Sequence, residues 1–175
     1  MKNKVLSIAA AAALGLSLGN GANAAESFAD CVSANVVNFD GSVVDAAIAT
    51  PELSTLVDAV VAAGLDEALA TTENITVYAP TNAAFAAVPT DILNTIVGNT
   101  DILTAVLTYH VTPSMQDPRK YLPAVQRPTL QGQKVFFSRS QEKGPLVNNA
   151  VVSCQGVKTD NGLVWLIDSV LLPNL

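Results

Sequence analysis

The chain has 175 residues, a formal net charge of −6 and a hydrophobic content of 50%, of which aromatic residues are a small part. An acidic chain with thinly spread basic residues is a poor candidate for nucleic-acid binding, because phosphates attract clustered lysine and arginine. The single histidine, His110, excludes a zinc site built from several histidines.

The first 24 residues have the pattern of a secretory signal. Lys2 and Lys4 precede an apolar run over 5–18, and residues 22–24 (Ala-Asn-Ala) match the small-residue cleavage site. That run is too short to span a bilayer, and no later apolar run is long enough to do so. We therefore predict cleavage after Ala24, a secreted or periplasmic mature chain, and no transmembrane segment.

We predict an N-terminal extension over 25–40, followed by one domain over 41–175. Its first half favours short helices: Ser42 is placed to cap one ending at Ile48, and Thr50 is placed to cap one ending at Gly64. A β-rich run at 75–79 stops at Pro80, and Tyr109 is predicted to begin an extended segment. The remaining predicted helices cover 66–70, 82–87 (capped by Thr81), 91–97 and 101–107, the last two opened by aspartates.

The second half favours strands. Residues 113–145 hold five prolines and most of the basic residues, so we predict one strand at 133–138 with loop or edge structure around it. Short strands are predicted at 146–147, 151–152, 157–158 and 163–167, with a hairpin turn at 160–162 (Asp-Asn-Gly). Helices followed by strands indicate the α+β class.

The charges of the mature chain are separated along the sequence. Residues 25–118 contain no lysine or arginine, and seven basic residues follow. Such polarity is able to steer a charged partner, or the basic residues solvate one long exposed segment. The seven are Arg119, Lys120, Arg127, Lys134, Arg139, Lys143 and Lys158.

The two cysteines, Cys31 and Cys154, are predicted to form a disulfide, because an even pair in an exported chain is usually oxidised. It would close a loop of roughly 120 residues and stabilise the fold by about 4–5 kcal/mol in the chain-entropy model. A redox or metal-binding pair is less favoured, since the spacing is not C-x-x-C and no histidine lies nearby in the sequence.

The sequence offers no positive signal for catalysis, for a metal site or for a required cofactor. A serine or cysteine hydrolase would have to use His110, yet no G-x-S-x-G motif is present, and its flanks, Tyr109 and Val111, suit a packed strand. The acidic residues are scattered, mainly in predicted first turns of helices, where they complement the helix dipole. We therefore predict a structural His110 and no catalytic residue.

Three segments resemble the fasciclin domain family, in the order and spacing of that family. They are 76–85 (TVYAPTNAAF), 107–111 (LTYHV) and 162–173 (GLVWLIDSVLLP), and the resemblance extends over about 41–173. It implies short helices packed on a small β-wedge, with a role in adhesion, matrix contact or small-ligand capture and no enzymatic activity. In some relatives the Tyr-His region is implicated in adhesion, which makes Tyr109 and His110 candidate partner-binding residues.

Trp165 departs from the family, since many relatives have histidine or a smaller residue there, and a narrower resemblance concerns residues 117–119 (DPR) and 152–159 (VSCQGVKT). These are similar to a branch of exported fasciclin proteins that solubilise carotenoids such as astaxanthin. The resemblance makes Trp165 and Arg119 candidate ligand-binding residues beside an apolar groove that 113–145 would cover, although Trp165 also suits an ordinary core.

Two functions therefore stay open. The first is a non-enzymatic adhesion module that binds a cell-surface or matrix protein or polysaccharide, and the alternative is a carotenoid-binding protein.

Overall fold

The computed structural model describes residues 35–120 and 124–174. The predicted signal peptide, its cleavage site, most of the N-terminal extension and Cys31 lie outside the described residues, so these predictions and the Cys31–Cys154 disulfide stay untested. Within the described ranges, no helix combines the length and the apolar character that crossing a membrane would require.

The first half of the described chain is mainly helical, as predicted. Its helices are α1 (Val43–Ile48), α2 (Ser54–Ala62), α3 (Asp66–Thr71), α4 (Asn82–Ala86), α5 (Thr90–Val97) and α6 (Thr100–Tyr109). A 3₁₀ turn at Pro51–Leu53 precedes α2, and a second one covers Pro118–Lys120.

Side-chain caps explain where several of these helices begin. Ser42 and Asp45 form a reciprocal capping box at α1, and the Thr81 hydroxyl accepts a hydrogen bond from the amide of Ala84 in α4. Thr50 holds the predicted N-cap position before Pro51, but its hydroxyl donates to the Ala46 carbonyl (2.8 Å) and makes no side-chain cap. Helix α6 begins at Thr100, one residue before the predicted Asp101, and Asn99 caps it.

The strands form one curled sheet. They are β1 (Val37–Asn38), β2 (Ile75–Pro80), β3 (Val111–Thr112), β4 (Val125–Pro128), β5 (Lys134–Ser140), β6 (Gly144–Val147), β7 (Ala150–Lys158) and β8 (Gly162–Ile167). Their order is β3-β2-β8-β7-β6-β5-β4, with β1 added to β7. Pairs β2–β8 and β1–β7 are parallel and the other pairs are antiparallel. The predicted α+β class is confirmed.

The region from 150 to 158 differs from its prediction, because the two short strands predicted there are one strand with a register shift between Val152 and Gly156. Gly156 lies directly under the Trp165 ring, where a Cβ atom would stand 2.7 Å from a ring carbon. Glycine therefore lets the irregular part of β7 approach the indole.

The sheet has apolar residues on both faces. Ile75, Val77 and Val164 pack against the helices, whereas Tyr78 and Trp165 belong to a second cluster formed with residues of β5, β6 and β7. Burial on both faces explains the nearly continuous apolar runs of β2 and β8.

Asn161, in the predicted hairpin turn, fastens the sheet to the helices. Its side-chain oxygen accepts a hydrogen bond from the Val43 amide (2.9 Å), and its side-chain nitrogen donates to the carbonyls of Leu69 and Thr72 (both 2.8 Å). The turn between β7 and β8 is thereby held against α1 and α3.

Candidate functional site

Trp165 lies in the core, fully buried, and its indole nitrogen donates to the Gln116 carbonyl at 3.0 Å. Residues 113–145 were expected to cover an apolar groove beside it. The described part of that segment instead forms a 3₁₀ turn and strands β4 and β5, with the start of β6. Trp165 therefore offers no surface to a ligand in this structure, and its predicted binding role stays untested.

Arg119 is buried as well, with 5% of its surface exposed. Its Nε and Nη2 atoms donate to the two carboxylate oxygens of Asp117 at 2.9 and 3.0 Å. Its Nη1 atom donates to the Cys154 carbonyl, and its Cζ atom lies 4.8 Å from the centre of the Trp165 ring. This two-pronged ion pair and cation–π contact make Arg119 part of the packing. The interpretation of Arg119 as one of the exposed basic residues was wrong.

The pKa of the Asp117 carboxyl depends on this arginine. Burial alone would raise the pKa of the Asp117 carboxyl, but the hydrogen bonds and the charge of Arg119 outweigh burial and hold that pKa below its ordinary value. The exposed Lys120 adds a weaker contact to the same carboxylate at 3.3 Å. Asp117 is therefore charged at neutral pH and holds the guanidinium in place.

His110 is held by main-chain groups on both sides. Its Nδ1 atom lies 2.7 Å from the Val106 carbonyl, and its Nε2 atom accepts a hydrogen bond from the Leu171 amide at 2.9 Å. Because an amide can only donate, Nδ1 carries the proton and the ring is neutral. Burial lowers the pKa of His110 to about 4, although the hydrogen bond to Val106 opposes this shift.

The strand predicted around His110 was wrong. Tyr109 is the last residue of α6, His110 is the helical residue that caps it, and β3 begins only at Val111. Tyr109 is 5% exposed, and its hydroxyl donates to the Lys134 carbonyl (3.2 Å) and accepts from the side chain of Asn148 (3.1 Å). The Tyr-His pair therefore links α6 to β5 and to the C-terminal segment.

The structure does not bring the four predicted residues together in one accessible site. Tyr109 and Trp165 belong to the cluster on the far side of the sheet from the helices, Arg119 lies on Trp165, and His110 is enclosed by α6 and Leu171. Their predicted contacts with a ligand or partner stay untested. Among residues 35–120 and 124–174, no group of three or more His, Cys, Asp or Glu side chains is placed to hold a metal ion.

An open apolar groove lies elsewhere, between helices α2, α5 and α6, and we call it the helix groove. Its volume is about 320 Å³. Its walls are almost entirely apolar, with polar groups from Thr55, Asp58 and Asn94. The apolar lining residues are Ala59, Ala62, Pro80, Phe85, Val88, Leu93, Ile96, Val97, Leu103, Val106, Leu107 and Val170, and His110 also contributes.

Sequence reasoning missed the helix groove because periodicity predicts which face of a helix is apolar but not the gap that remains between helices. The signal in the sequence was Val97, an apolar residue at the end of α5, which in the structure lines the groove and is 55% exposed. An apolar residue at a helix end, on the face that otherwise enters the core, is consistent with an incompletely filled space.

Known proteins resemble this chain in sequence and in fold. Residues 51–173 match the fasciclin domain. The immunogenic protein MPB70 of Mycobacterium bovis is 43% identical over 98 residues, which cover 56% of this chain and 49% of that protein. Protein sll1483 of Synechocystis is 37% identical over 134 residues, covering 75% of this chain and 73% of that protein.

Two further similarities agree with this match. The cell surface glycolipoprotein MPB83 of Mycobacterium bovis is 38% identical over 98 residues, covering 56% of this chain and 43% of that protein. A solved FAS1 domain pair from the insect cell adhesion molecule Fasciclin I superposes with a TM-score of 0.60 at 15% identity, covering 76% of this chain and 51% of that one. The chain thus spans about half the length of the mycobacterial relatives. By the matched domain and the shared fold, this chain belongs to the fasciclin domain family.

Proposed function

We propose that this chain is an exported, non-enzymatic module that attaches to a protein or polysaccharide of a cell surface or matrix. The observation that carries the proposal is the state of His110, the sole histidine. Both of its ring nitrogens are engaged by main-chain groups, so neither is available to take a proton from a nucleophile.

The names of similar proteins support the same role. MPB83 is a cell surface glycolipoprotein, and the FAS1 domain pair comes from a cell adhesion molecule. The matched segment covers about half of each mycobacterial relative, so the proposal concerns what this domain contributes.

The charge distribution supports attachment to an acidic surface. The helix-rich first half of the chain carries exposed acids such as Glu52, Glu67 and Glu73, whereas Lys120, Lys143 and Lys158 are exposed in the later part of the chain. A dipolar protein of this kind is oriented by a charged surface before short-range contacts form. Arg119 is not counted here, because it is buried.

A lysine variant tests this proposal. We expect Lys120→Gln/Lys143→Gln/Lys158→Gln to reduce attachment of the mature chain to cells of the source organism by about fivefold at low salt, since surface charges act over a Debye length. The matched control is Glu52→Gln/Glu67→Gln/Glu73→Gln, which changes the same number of exposed charges in the helix-rich half of the chain. Attachment is measured by flow cytometry of labelled protein at low and high salt.

Two results would count against the proposal or against the role of the lysines in it. Absence of any attachment by the unmodified chain, to cells and to matrix preparations alike, would contradict the proposal. Equal attachment by the lysine variant and its control would instead show that the basic residues play no part.

Carotenoid binding is a second candidate, and the helix groove favours it. A volume of about 320 Å³ with aliphatic walls and one aromatic side chain, Phe85, suits an apolar ligand. The groove is too small to enclose a whole carotenoid, so we infer that it would take one ring end while the polyene lies across the surface.

Filling the groove tests this candidate. Ala62 is exposed on α2 and lines the groove, so Ala62→Trp is expected to lower the bound carotenoid at least about fivefold by occupying the space. Ala68→Trp is the matched control, an exposed alanine on α3 outside the groove. The measurement is the visible absorbance of protein purified after incubation with astaxanthin. A colourless unmodified protein, after several carotenoids have been offered, would rule out this candidate.

A further inference from the structure

A second concave surface is lined by Tyr109 and by residues of β4, β5 and the C-terminal segment, and we call it the amide hollow. It is open, with a volume of about 710 Å³. Half of its ten lining residues carry a side-chain amide: Gln126, Gln133, Asn148, Asn149 and Asn174. Lys134 supplies the one charged side chain in this lining, and no carboxylate side chain contributes.

Phe136 presents an aromatic ring to the hollow. In β5, Val135 and Phe137 are completely buried, whereas Phe136 is 50% exposed. It stands directly opposite Gln126 on β4, so the ring and an amide share the outward face of the sheet. Leu172, 46% exposed, adds a second apolar surface at the edge.

The floor of the hollow is held by hydrogen bonds. The Asn148 side chain accepts from the Phe136 amide (2.9 Å) and donates to the Tyr109 hydroxyl (3.1 Å). Asn148 has a φ of 53°, a left-handed conformation that asparagine tolerates better than most residues. The Gln133 side chain bonds both the amide and the carbonyl of Asn174, at 3.0 and 2.6 Å, and fastens the C-terminal segment to the rim.

Other amides of the hollow are available to a ligand. The side chains of Gln126, Asn149 and Asn174 are exposed and make no hydrogen bond within residues 35–120 and 124–174. Each of these amides both donates and accepts hydrogen bonds. The floor of the hollow is held in place before a ligand binds, which reduces the entropy lost on binding. The free amides around the exposed ring are available to form hydrogen bonds with the ligand.

This chemistry matches a sugar. A pyranose ring has a face of C–H groups that packs on an aromatic ring, and its edge carries hydroxyls that each need a donor and an acceptor. We propose that the amide hollow binds a neutral polysaccharide, through stacking of one sugar ring on Phe136 and hydrogen bonds to Gln126 and Asn149. The proposal rests on the proposed function and names the chemistry of the partner.

The lining favours a neutral sugar over an acidic one. Recognition of carboxylate or sulfate groups is normally built from arginine forks or several lysines, and Lys134 is alone in this lining. The exposed lysines considered above act over a longer range, by orienting the protein toward a charged envelope. Binding in the hollow is therefore expected to persist at high salt.

The test uses affinity electrophoresis of the mature chain in gels containing laminarin, mannan or galactomannan as neutral probes, with alginate as the acidic comparison. We expect retardation by at least one neutral polysaccharide, unchanged at high salt. Phe136→Ala is expected to weaken retardation about tenfold because the stacking surface is lost, and Phe136→Tyr to preserve it. Asn149→Ala is expected to weaken it, whereas Gln141→Ala, an exposed amide in another turn, is the matched control.

Circular dichroism verifies that each variant folds. We expect Phe136→Ala to fold normally, because the Phe136 side chain is half exposed. Three results would overturn the proposal: no retardation by any neutral probe, retardation only by alginate and only at low salt, or equal retardation of Phe136→Ala and the unmodified chain. Concentration-dependent dimerisation that Phe136→Ala abolishes, without sugar binding, would also overturn it and assign the hollow to a second copy. Normal cell attachment by a chain that fails these tests would leave the proposed function standing.

Discussion

Acidification from pH 7 to pH 4 is expected to lower the free energy of unfolding by about 3 kcal/mol through His110 alone. The histidine is 2% exposed, and its pKa falls from 6.5 in the unfolded chain to about 4 in the folded one. Between these values the unfolded chain binds the proton and the folded chain does not, so stability rises with pH. The contribution is complete above pH 6.5 and is lost as the pH falls to 4.

The hydrogen bonds of His110 give this effect a structural cause. Protonation would turn Nε2 into a donor that faces the donating Leu171 amide, while the charge would lie in an apolar surrounding. Asp117 acts mainly at lower pH, because its lowered pKa removes stabilisation as the pH falls through the ordinary value of 3.8. The range from 4 to 6.5 therefore reports on His110.

The measurement is a series of urea unfolding curves at half-unit steps of pH, for the unmodified chain and for His110→Asn. Asparagine keeps a donor near the Val106 carbonyl but does not titrate. We expect it to be less stable at pH 7 and to lose about 2–3 kcal/mol less than histidine between pH 7 and pH 4. Parallel curves for the two proteins would contradict the assignment.

The sequence predicted local structure best where one side chain decides it. Ser42 and Thr81 are capping residues with no competing partner, and their helices begin as predicted. Thr50 holds the N-cap position as predicted, but its hydroxyl bonds to a carbonyl of α1 and does not cap the next helix, an alternative that local preference does not rank. Tyr109 has a side chain typical of strands, yet it extends α6, since its hydroxyl bonds with residues 25 and 39 positions away.

Long-range contacts also explain the unassigned strand and the misplaced site. Strand β4 ends in Pro128 and lies at the edge of the sheet, where a proline is tolerated, and composition alone indicated only loop or edge structure there. The contact of Arg119 with Trp165 joins positions that only the folded sheet brings together. A charge pattern in the sequence could not reveal that one of the seven basic residues is buried.

The residues that identify the family and those that face solvent are largely different sets. Tyr78, Tyr109 and His110 lie in the segments that carry the resemblance, and all three are buried. The helix groove and the amide hollow are lined mainly by other residues, such as Val88 and Val97 in the helix groove and Gln126 and Asn149 in the amide hollow. The residues that match the family therefore build the core of the fold. A partner would instead contact surfaces formed mainly by other residues.

Replacement of Arg119 by methionine is expected to lower the free energy of unfolding by about 2–4 kcal/mol, because it leaves the Asp117 carboxylate partly buried without its main partner. The side chains of Arg119 and Asp117 are 4% and 15% exposed, so water replaces the lost hydrogen bonds poorly. The variant would also remove the cation from the face of Trp165.

Lys120→Met provides the control, since it removes a cation from the same carboxylate. The Lys120 side chain is 71% exposed, and exposed ion pairs of this kind contribute at most about 1 kcal/mol. A loss for Arg119→Met no greater than for Lys120→Met would contradict the structural role assigned to the arginine.

The double variant Asp117→Asn/Arg119→Met separates pairing from packing. If the loss in Arg119→Met arises mainly from the abandoned carboxylate, the double variant should be more stable than Arg119→Met, because the neutral amide no longer needs a cation. If the loss arises mainly from the contact with the indole, the two should be equally unstable. Emission of Trp165, the only tryptophan, is a second readout, because loosening of this cluster would expose the ring to water and shift its emission to longer wavelength.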